Sequence, residues 1–227
     1  MKQILKLALL ASVLFCPGLL TAKTFEGTVR MQISNGSKST HNLSYSIKRA
    51  QVRTDIQLGD DKSASAIMDL TKDEMIILMP GQPIYMTMSI KTTVDKVTGG
   101  KTGDVNLENT GITTEILGYT CTKYLAKTKE GSMEIWATTE LGTFMGLGNM
   151  MGDKKAKLGW ESALVGKDFF PLRVKSATGS ENPFSLEATA VEPKSLPDSL
   201  FAPPANYRKF DLGGMMQDMG GANPFGR

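Results

Sequence analysis

Histidine is nearly absent from this 227-residue chain, which carries one, His41, in the polar stretch SKSTHNLS. That scarcity removes most zinc-site types and the usual Ser-His and Cys-His nucleophile pairs, and leaves the commonest general base to one solvated side chain. Cysteine is almost as rare: there are two, and Cys16 falls in what reads as a leader, so Cys121 in GYTCTKY has no partner within a mature chain. Stability then has to come from burial, which a chain of about 200 residues can supply without staples. Charge of one sign is lacking too. Without the leader, 24 basic residues face 23 acidic ones, a net charge of +1 that offers no field to nucleic acid or an anionic membrane.

Long hydrophobic runs are confined to the start. MKQILKLALLASVLFCPGLLTA places Lys2 and Lys6 before an apolar stretch, then Pro17-Gly18 and a small residue, Ala22. This is the layout of a secretory signal peptide, with cleavage expected after Ala22 and residence in the periplasm or outside the cell. The run from Leu7 to Phe15 is shorter than the roughly 18 to 20 residues a membrane span needs, so the mature protein is not expected to cross a membrane. Phe15 is bulky where a lipoprotein signal has a small residue, which argues against lipid attachment at Cys16.

What the chain does have is alternation. In FEGTVRMQIS, Phe25, Gly27, Val29, Met31 and Ile33 alternate with polar residues, the period of a strand with one wet face. LSYSIK repeats it with Leu43, Tyr45 and Ile47, and QVRTDIQL with Val52, Thr54, Ile56 and Leu58. SASAIMDL, EMIILM and PIYMTMSI follow between turn residues, then GITTEIL, CTKYLAKT, SMEIWATTE, FPLRVKSA and FSLEATAVE. Short strands at this spacing leave no room for parallel crossovers, so the expected class is mainly β and antiparallel, a sandwich, barrel or half-barrel. Residues 92–110 are polar and read as an exposed excursion, and Glu130-Gly131 as a hairpin turn.

Between 141 and 166 the alternation breaks. TFMGL and KKAKLGWESAL each suggest a short helix, so one or two helices are expected to pack an apolar side onto the sheet. KSLPDSLFAPPANY reads as a single helical turn before an extended Pro203-Pro204 segment, and GGMMQDMGGANPFGR as a mobile tail. The organisation is therefore a leader at 1–22, one domain at 23–212 and a Gly/Met-rich tail at 213–227.

No catalytic constellation emerges. GGKTGD lacks the earlier glycine of a phosphate loop, having Asp95 there, and no carboxylate pair stands apart from ordinary wet-face acids. No cofactor and no enzymatic activity are expected. Methionine is the unusual count, 14 in all. Its flexible thioether fills irregular space and suits surfaces that accept varied apolar ligands. By apolarity and period, candidates to line a cavity are Met86, Met88, Met133, Ile135, Trp136, Phe144, Met145, Leu147 and Trp160. A weaker alternative puts reduced copper on the thioethers of Met215, Met216 and Met219 in the tail. Cys121 reads as a small structural side chain within a strand, with no cationic cluster to activate it.

The early strand FEGTVRMQI, the run RTDIQL with IMDLTKDEMIILMPGQPIYM, the strands ILGYTCTKY and MEIWATTEL, the segment FFPLRV and the closing LPDSLFAPPANY together resemble an uncharacterised family of bacterial secreted proteins, a domain of unknown function allied by fold to the periplasmic lipoprotein carriers LolA and LolB. The resemblance spans residues 24 to 211. It implies a strongly curved antiparallel sheet, an unclosed half-barrel with one or two short helices on its concave face, and between them an apolar cavity that in the carriers takes acyl chains. Hiding a chain of about 14 carbons from water is worth roughly 11 kcal/mol, so an apolar lining suffices. The expected function is a non-enzymatic periplasmic protein that holds a lipid or other hydrophobic ligand. The alternative is an envelope protein-interaction module whose sheet is filled by its own helices.

Overall fold

The alternating segments pair, in the computed structural model, into one sheet of 12 strands with the order β12-β6-β5-β4-β3-β2-β1-β11-β10-β9-β8-β7. Residues 25–36, 40–57, 63–79, 81–92, 106–128, 131–146, 159–164, 167–177 and 183–210 are described. The expected leader, the tail, Leu58, Leu147 and the middle of the polar excursion lie outside them. The strands are β1 (Glu26–Asn35), β2 (Thr40–Lys48), β3 (Gln51–Gln57), β4 (Ser63–Asp69), β5 (Glu74–Leu78), β6 (Ile84–Ser89), β7 (Asn106–Ile116), β8 (Tyr119–Thr128), β9 (Gly131–Thr138), β10 (Phe170–Ser176), β11 (Phe184–Pro193) and β12 (Arg208–Lys209). Two antiparallel meanders, β1 to β6 and β7 to β11, are joined where β1 pairs with β11, from Gly27 opposite Pro193 to Asn35 opposite Phe184. The sheet is curved and does not close on itself.

Each strand's alternation becomes a division between two faces. Val29, Met31 and Ile33 on β1 are fully buried, as are Leu43 and Tyr45 on β2 and Thr54 and Ile56 on β3, and with Val174, Leu186 and Ile135 they form one face of the main core. We call this the inner face. On the other side, Ile67 and Leu78 are covered by Leu196 and Phe201 from the segment after β11. That segment contains the expected single turn, a 3-10 helix at Asp198–Phe201. It is tied down by Lys48, whose ammonium reaches the Leu196 carbonyl oxygen and lies 2.7 Å from Asp198, and by Glu26, which accepts from the Leu196 amide at 2.7 Å. Arg53 donates to the Leu200 carbonyl at 3.2 Å.

Some local expectations need correction. Asn106–Thr110 belong to β7 rather than to the excursion, because they pair with the far end of β8, Asn106 opposite Lys127. The excess length is absorbed by a bulge between Asn109 and Thr113, where Gly111 takes a φ of +71°. The expected hairpin between β8 and β9 forms, with Thr128 and Gly131 facing each other at its end. Thr143–Gly146, four of the five residues of the first expected helix, have no regular structure. Their backbone is held instead by a bond from the Phe144 amide to the Phe169 carbonyl at 3.0 Å. Of the second expected helix, residues 154–158 lie outside the described residues and Gly159–Ser162 form a helical turn, α1. Finally, β12 is a two-residue strand parallel to β6, too short to leave a period in the sequence.

Candidate functional site

Cross-strand register arranges the inner face into rows. One runs from Val29 through Tyr45, Thr54, Ala66 and Ile77 to Met86, each opposite the next on neighbouring strands. A parallel row runs from Ile47 through Val52, Met68 and Met75 to Met88. Burial weakens along the second row toward β6: Met68 is 2% exposed, Met75 8%, and Met88 only half-buried. The apolar face therefore continues past the closed core into a methionine-lined margin.

At the other end the face is capped by aromatic rings. Phe144 stacks on Tyr45 with centroids 5.4 Å apart and on Trp160 at 5.8 Å, while Phe170 meets both Tyr45 and Phe144 edge-on. Leu141 and Leu164 complete the cap and are fully buried. Such stacked and edge-to-face contacts favour this packing over that of aliphatic side chains.

Three polar atoms inside this apolar region have no hydrogen-bond partner among the described residues: the Tyr45 hydroxyl, Thr54 Oγ1 and Trp160 Nε1. A buried, unpaired hydroxyl or amide-like group costs about 1–3 kcal/mol in folded proteins, so three in one core are unusual. Burial pushes the Tyr45 phenol far above the ordinary tyrosine range, the nearby Thr54 hydroxyl and Met145 amide pull it down, and the Glu161 carboxylate adds to the rise. Glu161 is itself buried, and a methyl group at Gly146 would lie 2.8 Å from its Oε2, so glycine leaves the carboxylate its space.

The residues singled out in the sequence separate into groups. Met133 and Ile135 lie on the inner face of β9. Phe144 and Trp160 are at the centre of the aromatic cap, with Met145 half-buried beside them. Met86 and Met88 are half-buried at the β6 margin. Trp136 is half-buried and packs against the main core, but it alternates with Ile135 on β9, faces Lys123 in register, and carries that ammonium 5.7 Å from its ring. Leu147, Met215, Met216 and Met219 lie outside the described residues. Sequence reasoning missed Tyr45, Thr54 and Glu161 as a polar group. A signal was present in Thr54, a hydroxyl placed by period two on the buried side of β3.

Elsewhere the polar side chains are engaged in structure. His41 Nδ1 lies 3.2 Å from the Gln57 carbonyl. Cys121 is a free, fully buried thiol, and burial first, then the charge of Glu140, pushes its pKa from 9.0 to about 11, the opposite of activation. Among the described residues no group of three His, Cys, Asp or Glu side chains converges on a metal-sized space, and no helix is long and apolar enough to cross a membrane.

These features define a class: a mainly β protein built on one open, curved, almost wholly antiparallel sheet with an apolar inner face. The chain belongs to the family described as a domain of unknown function, DUF4412, which matches residues 25–207. No curated protein matches it. Among solved structures it is similar to an uncharacterized conserved protein from Thermus thermophilus, at 8% identity and a TM-score of 0.49 over 83% of this chain and 93% of that one. It is also similar to PNGF-II in a C2 crystal form, at 15% identity and a TM-score of 0.47 over 86% of this chain. The chain spans about a third of the length of PNGF-II, 32% of it.

Proposed function

We propose that this is a non-enzymatic protein, exported to the periplasm by cleavage of its leader after Ala22, that holds a hydrophobic, lipid-like molecule against the inner face of its sheet. The observation that supports it is the row Met68, Met75, Met88, in which apolar surface continues from the closed core into a half-buried margin. Thioethers in such a margin adapt to varied apolar shapes without a polar constellation. The kinship by fold with the lipoprotein carriers LolA and LolB is part of this reading. A second reading, an envelope interaction module with a filled core, draws on the cap itself, since Leu141, Phe144, Trp160 and Leu164 already occupy inner-face space.

Native mass spectrometry separates them. The protein is exported from a bacterial host with its own leader, purified without detergent, and its mass compared with that of the mature chain. The carrier reading expects a population heavier by a lipid mass, removed by organic extraction and replaced by an apolar naphthylamine probe. An exported protein that is empty and also ignores the probe overturns it in favour of the filled core.

A further inference from the structure

The sheet ends on one side at β7, and this edge strand and its hairpin turn carry two of the three large hydrophobic side chains exposed among the described residues, Ile112 at 54% and Leu117 at 44%. Free strand edges are usually blunted against pairing with another chain. Here only half of the edge is blunted. Across the bulge the Gly111 amide donates to Asn109 Oδ1 at 2.9 Å, the Ile112 amide to Thr110 Oγ1 at 3.2 Å, and the Thr110 hydroxyl to the Lys123 carbonyl at 2.9 Å. From Thr113 to Ile116 the strand is regular again and pairs with Thr122 to Tyr119.

The hairpin turn fixes which backbone groups of that stretch face outward. Leu117 and Gly118 both take positive φ, the two-residue turn that makes Ile116 and Tyr119 a hydrogen-bonded pair. Such pairs alternate along an antiparallel ladder, so Thr114 bonds to Cys121, while Thr113 and Glu115 turn their N–H and C=O groups away from β8. The amide of Thr120, opposite Glu115, agrees with this: it points away from β7, to Glu140 Oε1 at 3.4 Å. Thr113, Thr114 and Glu115 are exposed, and no strand lies beyond them among the described residues.

A second copy of the same stretch is complementary to it. With the two strands antiparallel about a twofold axis at Thr114, Thr113 of each copy faces Glu115 of the other, and each of these pairs exchanges two backbone bonds. The Thr114 side chains meet at the axis, a favourable cross-strand pair, and the exposed Ile112 of each copy comes opposite Ile116 of the other. Registers offset by two residues keep only one such bonded pair, and in one direction they set Glu115 against Glu115.

We propose that two copies of this chain join edge to edge through Thr113–Ile116, so that the sheet runs on across a twofold axis at Thr114. The contact is short and the dimer therefore weak and reversible, populated at protein concentrations of about 100 µM. It does not depend on what the inner face holds.

Sedimentation velocity on the exported, purified protein reads the mass as concentration is raised, and the parent is expected to double. Thr114→Lys and Thr114→Glu each set like charges face to face at the axis, and each is expected to stay monomeric with the thermal midpoint of the parent, since Thr114 is exposed. Mixed in equal amounts, the two variants are expected to dimerise again, a rescue particular to an axis at this residue. Glu115→Gln relieves the diagonal approach of the two Glu115 carboxylates and is expected to tighten the parent dimer by about twofold or more. A parent that stays monomeric throughout overturns the proposal, as does a dimer that both charged variants retain, a mixture that remains monomeric, or a Glu115→Gln dimer no tighter than the parent.

Discussion

Replacing Tyr45 by phenylalanine removes one oxygen and leaves the ring. The ring's contacts, the stack on Phe144 at 5.4 Å and the edge contact with Phe170 at 5.5 Å, do not involve the hydroxyl. The hydroxyl itself is buried with no partner in good hydrogen-bond geometry among the described residues, so it contributes a desolvation penalty that its neighbours offset only in part. Mutational experience places that penalty at about 1–3 kcal/mol. Part of it is offset by weak attraction to the Thr54 hydroxyl and the Met145 amide, which approach the phenol oxygen. Tyr45→Phe is therefore expected to stabilise the unliganded protein by about 1–2 kcal/mol, against the general tendency of core substitutions to destabilise. For a domain of this size that corresponds to a rise in Tm of about 2 to 8 °C by calorimetry on lipid-extracted protein. Thr54→Val should act in the same direction, and the two should not add, because the residues are neighbours. A fall in Tm of several degrees for Tyr45→Phe would show that the hydroxyl makes a bond worth keeping, and would refute the premise that its burial is only partly offset.

Gly27→Ala should cost about 1–3 kcal/mol of overpacking, seen as a lower urea midpoint, because a methyl group there would overlap the Glu192 carbonyl oxygen and lie 3.0 Å from its carbon; an unchanged midpoint would mean that β1 and β11 can part without cost. Lys48→Met leaves the Leu196 carbonyl and the Glu26 carboxylate without their cation, and should cost about 1–3 kcal/mol while exposing residues 194–210 to limited proteolysis. The same clamp should be acid-sensitive: the Leu196 amide first, and the Lys48 charge, hold the Glu26 carboxyl below its ordinary 4.5, so its stabilisation is present above pH 4.5 and is lost as pH falls through the folded value. Cys121 works at the other end of the scale. Its thiol ionises near 9.0 when unfolded and near 11 when folded, so stability is kept below pH 9 and falls as pH rises toward 11. Cys121→Ala should flatten that decline in urea titrations, and an identical slope in both proteins would contradict the burial argument.

The strands were legible because alternation is local: whether Val29, Met31 and Ile33 share a face depends only on the pleat, and so does the placing of Thr54 among buried neighbours. The single turn at Asp198–Phe201 was legible for the same reason, from prolines and short polar residues on either side. The short helix and the extent of β7 were less so. Thr143–Gly146 has helix-compatible residues, yet the backbone bond from Phe144 to Phe169 holds it in irregular form. Asn106–Thr110 looks like loop by composition but is drawn into the sheet by pairing with β8. In both cases tertiary contact overrode weak local preference.

By itself the sequence determined that the chain is a β protein of short antiparallel strands, and that histidine and cysteine are scarce. Only the tertiary structure decided that β1 joins β11 across some 160 residues, that Trp136 faces Lys123, and that Tyr45, Thr54 and Trp160 hold unpaired polar atoms within one apolar face of the described residues. The difference is physical. Periodicity is set by the geometry of one strand, whereas register and the company a side chain keeps are set by which distant strands pair, through contacts that no short window of sequence contains.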